Sequence, residues 1–334
     1  MKNVLITGAS GFIGSFLAKE AVGRGYQVYA GIRSTSKTLY LKDENIRIFT
    51  MDLADKSRLI RNFKDLAGKG IRFHYIVQNA GVTKSINKKD FLTVNYQNTR
   101  NLAEALIESN CVPDKFLYMS SLEAYGPGDE KTMKPVRETD APHPFSLYGK
   151  SKLKTEQYLK SLENFPYLII RPTGVYGPRE KDYFVYIRAV THGFEFYIGR
   201  KKQYLSFVYV KDLARLIFLS LESDVVNRSY FVTDGQTYTS EDLAEIVKDI
   251  LGKKCLKIAI PRFMIQWISM VAEPVSHLFH KQTVLNPDKV QALTCTNWLC
   301  DSGQTRKDFD FKAAYDLKTG MAETIAWYKS NHWL

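Results

Sequence analysis

Residues 4–20 read VLITGASGFIGSFLAKE. The apolar run Val4-Leu5-Ile6 ends at Thr7, and glycines then come at even intervals, Gly8, Gly11 and Gly14. The run predicts a short buried strand, and Ser15–Val22 predicts the helix that follows it. Between a strand and a helix each glycine has a task. Gly8 can take a positive φ as the chain leaves the strand. Gly11, without a Cβ, lets backbone N–H groups approach a pyrophosphate, and Gly14 lets the helix pack closely on the sheet. The positive end of the helix then faces the phosphates. Ser10, Phe12 and Ile13 complete this candidate cofactor-binding turn. The glycines alone also fit a tight turn with nothing bound, and the spacing differs from G-x-G-x-x-G.

Outward from this turn, strands and helices alternate. Strands are expected at Gln27–Ile32, Ile46–Met51, Phe73–Gln78, Lys115–Ser120 and Tyr167–Arg171. Helices are expected at Lys56–Asp65, Lys89–Ser109 and Leu153–Leu162. The alternation implies an α/β fold of the Rossmann type, a doubly wound parallel sheet with helices on both faces. After Pro172 the rhythm breaks. Gly174–Arg179 reads as a loop, Lys211–Leu221 as a helix and Ser229–Thr233 as a last sheet strand. Ser240–Leu251 reads as a helix capped by Ser240, with Glu241 and Asp242 in its first turn. The expected division is a Rossmann domain over 1–172 with a returning segment near 203–235. Residues 173–202 and 236–334, including a helix at Gly320–Lys329, form a smaller C-terminal substrate-binding lobe.

The second strand bears on the choice of cofactor. NAD-binding chains often end it with an acid that bonds the ribose hydroxyls. Here VYAGIRSTSK has no acid; Arg33 stands near that place, with Ser34, Ser36 and Lys37 behind it. A guanidinium there can pair with a 2′-phosphate. NADP(H) is therefore the expected cofactor, with NAD(H) the alternative.

Chemistry is suggested further on, in PFSLYGKSKLKTEQYL, where Tyr148 and Lys152 lie four apart and share a helix face. An ammonium near the phenol, with the positive nicotinamide, would favour the phenolate and lower the tyrosine pKa. Tyr148 could then move a proton at a substrate oxygen while hydride moves at carbon. Lys152 could also bond the nicotinamide ribose. The fifth strand, KFLYMSSLEAYG, brings Ser120 and Ser121 to the carboxyl edge of the sheet, where ligands bind in such folds.

Composition narrows the classes. The 334 residues carry 47 Lys and Arg against 35 Asp and Glu, a formal net charge of +12. The charges are spread, and short groups such as Arg200-Lys201-Lys202 are not nucleic-acid-binding arms, so no nucleic acid is expected. The four cysteines, Cys111, Cys255, Cys295 and Cys300, form no C-x-x-C pair. His277 and His280 have no carboxylate or cysteine cluster beside them, so no metal is expected. With no signal peptide ahead of Val4, a cytoplasmic location is expected. The apolar stretch Ile258–Phe279 is broken by Pro261, Arg262, Glu273 and Pro274 and predicts no membrane span. It reads as a buried helix, with interfacial attachment through Phe263, Trp267 and Met270 as the alternative.

TGASGFIG, SSLEAYG, YGKSK and RPTGVYGPR, with SFVYVKDLARLIFLSLE later, follow the order and spacing of the extended short-chain dehydrogenase/reductases. The chain resembles that superfamily, and within it the NAD-dependent epimerase/dehydratase family. The resemblance implies a catalytic set of Ser121, Tyr148 and Lys152. It implies a phosphate turn at Gly8, Gly11 and Gly14, adenine contacts at Asp52 and Leu53, and a cofactor-side loop at Asn79, Ala80 and Gly81. It adds Asn95 on the following helix, and Pro172 and Thr173 beside the nicotinamide carboxamide. Departures from the family pattern also carry information. Leu122 replaces the first acid of the dehydratase pair, leaving only Glu123, so dehydration is not expected. Leu205 and Ser206 precede Phe207, where sugar-nucleotide epimerases often have an arginine, although Arg179, Arg200, Lys201 or Lys202 could substitute. With Arg33, this resembles the dihydroflavonol reductase and hydroxysteroid dehydrogenase branch.

The expected function is NADP(H)-dependent carbonyl reduction or alcohol oxidation on a small organic substrate. The aromatic segments Tyr183–Tyr186 and Phe263–Trp267 would suit its pocket, as they would suit core packing. The alternatives are a nucleoside-diphosphate-sugar epimerase with tightly held NAD and a non-catalytic NADP-binding sensor. The resemblance also implies a homodimer through the helices that follow the fourth and fifth strands.

Overall fold

A computed structural model describes residues 1–199, 201–261, 263–265, 267 and 287–334. Arg200, Met270, His277 and His280, with most of the stretch Ile258–Phe279, lie outside the described residues. The chain divides into two compact units. Unit one is Met1–Ala124, Leu147–Arg171 and Ala214–Tyr230; unit two is Tyr125–Ser146, Pro172–Leu213 and Phe231–Leu334.

Unit one is built on β1 (Asn3–Thr7), β2 (Gln27–Ile32), β3 (Ile46–Thr50), β4 (Tyr75–Gln78), β5 (Lys115–Met119) and β6 (Tyr167–Pro172). Its helices include α1 (Phe12–Gly23), α2 (Lys56–Gly68), α3 (Asn98–Glu108) and α4 (Leu147–Ser161). With β11 (Arg228–Val232) the seven-stranded sheet runs β11-β6-β5-β4-β1-β2-β3. The pairs from β3 across to β6 are all parallel. Strand order reverses between β1 and β4, which opens a crevice beyond their carboxyl ends. The strands read as continuous apolar runs because both sheet faces are covered. Leu5, Tyr29, Ile76, Phe116, Tyr118 and Ile169 pack with Leu59 and Phe63 of α2, Leu102 and Leu106 of α3 and Leu159 of α4. The alternating residues Val4, Ile6, Val28, Val77, Leu117 and Ile170 are buried on the other face.

A buried ion pair ties α4 to the sheet. Arg171, near the end of β6, donates from Nε and Nη2 to both oxygens of Glu156 (2.9 and 2.6 Å), and Ser120 donates to the same carboxylate (2.5 Å). Glu156 and Arg171 are fully buried.

Unit two holds smaller sheets. β7 (Gly174–Tyr176) pairs in parallel with β10 (Phe207–Tyr209), and β8 (Phe194–Ile198) with β13 (Leu256–Ile260). The expected loop at Gly174–Arg179 thus begins with a strand, because β10 supplies the partner that its own sequence does not announce. The helix Ser240–Leu251 is capped by Thr239 rather than Ser240. The Thr239 hydroxyl accepts from the Asp242 N–H (3.1 Å), and the Asp242 carboxylate accepts from the Thr239 N–H (2.8 Å). This reciprocal pair uses the third helical residue, which a cap at Ser240 would misplace. Among the described residues no helix is long and apolar enough to cross a membrane.

Glu156→Gln should leave the Arg171 charge buried without its counter-charge and cost about 3–5 kcal/mol of unfolding free energy. Urea unfolding followed by circular dichroism measures this; an unchanged midpoint would remove the pair from the stability of the fold.

Candidate active site

The glycine turn is shaped by close approach. Gly8 has a φ of +62° and lies against Ala80, whose Cα would stand 2.9 Å from a Cβ on Gly8. A Cβ on Gly14 would fall 2.2 Å from the Gly8 carbonyl oxygen. Gly11 donates its N–H to that oxygen (3.0 Å) and caps α1 without any side-chain bond. The turn therefore keeps backbone at the mouth of α1, the arrangement that receives an anion. Ser10, Phe12 and Ile13 are half-buried around it. These features fit the diphosphate of a dinucleotide. Thr7 ties the turn to the neighbouring loop: its hydroxyl donates to Gln78 Oε1 (2.6 Å) and accepts from the N–H groups of Asn79 (3.1 Å) and Ala80 (3.0 Å).

Arg33 follows β2 directly and is exposed, with Ser34 and Lys37 exposed behind it. Asp52 is exposed and Leu53 half-buried after β3. The Asp52 carboxylate accepts from the Ala54 N–H (2.9 Å), and the Leu53 carbonyl accepts from Asn101 Nδ2 (3.0 Å). Pro172 and Thr173 fall in unit two, where the Thr173 N–H donates to the Val232 carbonyl (3.2 Å).

Asn95 sits in a π-helical segment, Phe91–Gln97, that runs into α3. Its carboxamide clamps the loop after β4, accepting from the Val82 N–H (2.8 Å) and donating to the Val82 carbonyl (3.0 Å). Asn95 also donates to Ser151 Oγ (3.0 Å), and Ser151 donates to the Tyr148 carbonyl (2.7 Å). One side chain thus links the cofactor-side loop to the first turn of α4. Thr7, Ser151 and Arg171 stand within TGASGFIG, YGKSK and RPTGVYGPR without a role assigned there, and Glu156 lies outside those motifs; all four are supporting residues. The i, i+4, i+8 spacing of Tyr148, Lys152 and Glu156 is the sequence signal that could have found Glu156.

At the carboxyl end of β5 the expected catalytic residues meet. Ser121 Oγ accepts from the Glu123 N–H (3.2 Å) and its hydroxyl bonds the Tyr148 side chain. Lys152 donates from Nζ to the Met119 carbonyl (2.7 Å) and lies 4.9 Å from the centre of the Tyr118 ring and 5.7 Å from that of Tyr148. A Cβ on Gly81 would be 3.4 Å from Lys152 Nζ, so the loop after β4 passes close to the ammonium. Burial, and then the Glu123 carboxylate, hold the Tyr148 phenol well above its ordinary pKa, while the Ser121 hydrogen bond pulls the other way. Burial is the largest influence on the phenol, and Lys152 is not among the groups that shift it. Burial also brings Lys152 down to about 7, against an opposing pull from Glu156.

That depression has a sign. Lys152 binds its proton more weakly in the folded state than in the unfolded one, so its penalty is full below about 7 and is relieved as the pH rises toward the ordinary lysine value. The wild type should therefore gain stability relative to Lys152→Met between about pH 7 and pH 10. Paired urea titrations at the two pH values test this; a constant difference between the two proteins would refute it.

Comparison with known proteins agrees with this architecture. The model of the NAD-dependent epimerase/dehydratase family matches residues 4–232. A ceramide reductase of Caulobacter vibrioides is 24% identical over 334 residues, covering 99% of this chain and 96% of the relative. A UDP-N-acetyl-alpha-D-glucosaminuronate decarboxylase of Bacillus cytotoxicus is 29% identical over 356 residues, covering 98% of each. Among solved structures, the UDP-glucose 4-epimerase of Thermotoga maritima with UDP-glucose superposes with a TM-score of 0.78 at 21% identity, over 99% of both chains. With its parallel sheet, glycine turn and Ser121–Tyr148–Lys152 cluster, the chain belongs to the NAD-dependent epimerase/dehydratase family of the extended short-chain dehydrogenase/reductases.

Proposed function

We propose that this protein is a nicotinamide-dependent enzyme that changes the oxidation state of a secondary alcohol or carbonyl carbon, with Tyr148 as the proton-transfer residue. The observation that carries the reading is the meeting of Ser121, Tyr148 and Lys152 at the carboxyl end of β5, in the same unit as the glycine turn. Within unit one, the residues that would hold the dinucleotide are the turn Gly8–Gly14, with Arg33, Asp52, Leu53, Asn79, Ala80, Gly81 and Asn95, and with Tyr148 and Lys152. Bound there, the dinucleotide accepts or donates hydride. Tyr148 gives its proton to a carbonyl oxygen, or takes one from an alcohol. Ser121, whose hydroxyl bonds the Tyr148 side chain, would turn that hydroxyl to the reacting oxygen and hold it beside the phenol. Lys152 spends one donor on the Met119 carbonyl and keeps others for ribose hydroxyls.

The relatives named for sugar nucleotides support an epimerase course, without net oxidation or reduction of the substrate, over the net carbonyl reduction expected from the sequence. One observation favours net reduction as a second reading: Leu205 and the buried Ser206 precede Phe207, where a sugar diphosphate would find no arginine. The full-length similarity to a ceramide reductase accords with it. Arg33 supports NADP(H) in either course, and a homodimer through α3 and α4 accompanies both.

Tyr148→Phe should lower turnover by about 10²–10⁴-fold while leaving cofactor binding intact. Turnover at the wild-type rate would refute the assigned role. Absorbance at about 340 nm separates the two courses, since net consumption of added reduced cofactor marks a reductase and its absence during product formation an epimerase. Arg33→Ala should weaken NADP(H) about tenfold or more and spare NAD(H). Fluorescence titration measures both affinities, and an equal effect on the two would remove the 2′-phosphate role.

A further inference from the structure

The parallel pair β8–β13 in unit two has one polar and one apolar face. In register, Phe194, Phe196 and Ile198 lie opposite Leu256, Ile258 and Ile260. Residues facing each other in a parallel pair project to the same side, so these six form one apolar face. That face is turned to solvent: Leu256 is 64% exposed, Phe194 and Phe196 are each 42% exposed, and their two rings stack at 6.2 Å. The opposite side of β8 is the inward one. Glu195 is 1% exposed there, bonded by the Tyr197 hydroxyl and paired with Lys248 at 2.9 Å. On β8 the polarity is inverted with respect to an ordinary surface strand, with the carboxylate inside and the phenylalanines outside; on β13 Lys257 and Ala259 of the other side are exposed too, and Ile198, Ile258 and Ile260 are half-buried. Directly after β13, Phe263, Met264 and Trp267 are exposed as well, at 61%, 45% and 68%.

Cations stand at both ends of this face. Lys253 and Lys254 precede Leu256, beside Gly193, and both are exposed. Lys201 and Lys202, also exposed, follow Gly199, whose N–H donates to the Ile260 carbonyl at the other end (2.9 Å). Glu195 is the only acid in residues 194–202 and 253–261, and it is buried. An apolar surface with an exposed tryptophan and lysines at its two ends matches a layer of acyl chains beneath anionic headgroups. A second copy of the chain fits less well, because a two-fold axis would bring the same lysines together.

We propose that the β8–β13 face, with Phe263, Met264 and Trp267, docks this protein peripherally on an anionic lipid surface. The proposal does not depend on which nicotinamide reaction the protein performs.

Flotation of the full-length chain with phosphatidylcholine vesicles, with and without phosphatidylglycerol, tests it. The wild type should float with the anionic vesicles and be released by salt. Phe196→Ser with Leu256→Ser, and separately Lys253→Ala with Lys254→Ala, should each weaken partitioning about tenfold or more. Unchanged urea midpoints confirm that these exposed substitutions leave the fold intact. A wild type that ignores both vesicles would overturn the proposal, as would binding that neither pair weakens. Sedimentation velocity supplies a third contrary result: dimers lost in the Phe196/Leu256 variant, with no vesicle binding by the wild type, would assign the face to a second copy.

Discussion

Glu156 and Arg171 form an ion pair where water does not reach, and the placement of α4 depends on it. Taking two charges out of water is expensive, and their attraction offsets the cost only where geometry and further hydrogen bonds are good. Here both carboxylate oxygens are engaged by the guanidinium and Ser120 adds a third bond. Such a pair specifies position more than it adds stability. Each residue advances a helix by about 100°, so a slip of α4 by one residue would turn Glu156 away from Arg171. The same slip would carry Lys152 off the Met119 carbonyl and Tyr148 off Ser121. Asn95 and Ser151 hold the first turn of α4 from the other side.

This anchoring sets the electrostatics of the cluster. Burial opposes charge on both the phenol and the ammonium, so neither Tyr148 nor Lys152 is held in its charged form by its neighbours alone. Glu123 adds negative potential at the phenol. The protein thus supplies position and desolvation at the phenol. Sequence spacing conveys that Tyr148 and Lys152 share a face; it does not convey that the local medium overrides their mutual influence.

The strand–helix alternation of unit one is legible in the sequence because the inner strands are apolar runs separated by helical segments, while the edge strand β3, IRIFT, alternates and is only partly buried. Gly8 and Gly14 are legible because close backbone approach leaves no room for a Cβ, and Gly11 because a Cβ there would crowd the Gly8 carbonyl oxygen at 3.2 Å. The β8–β13 pair is not, since its two strands are distant in the chain and their apolar faces look like core. The same holds for β7, which needs β10 beside it. Asn95 comes to notice through resemblance alone; its clamp on Val82 and Ser151 depends on a π-helical turn that no local pattern signals. The shift of a helix cap from Ser240 to Thr239 turns on which hydroxyl can reach the third helical N–H, a matter of backbone angles rather than residue type.

The route of the chain carries a consequence for its biosynthesis. The backbone passes between the two units five times before it ends in unit two. Strand β11, Arg228–Val232, is the last to join the main sheet, beside β6. A ribosome making this protein from its amino terminus exposes the rim of β6 until that segment emerges. An unpaired strand rim is a template for another chain, and partly made proteins are vulnerable through such rims. Translation that stalls before Arg228 therefore leaves a nearly finished sheet with the rim of β6 open as well as the standing edge at β3.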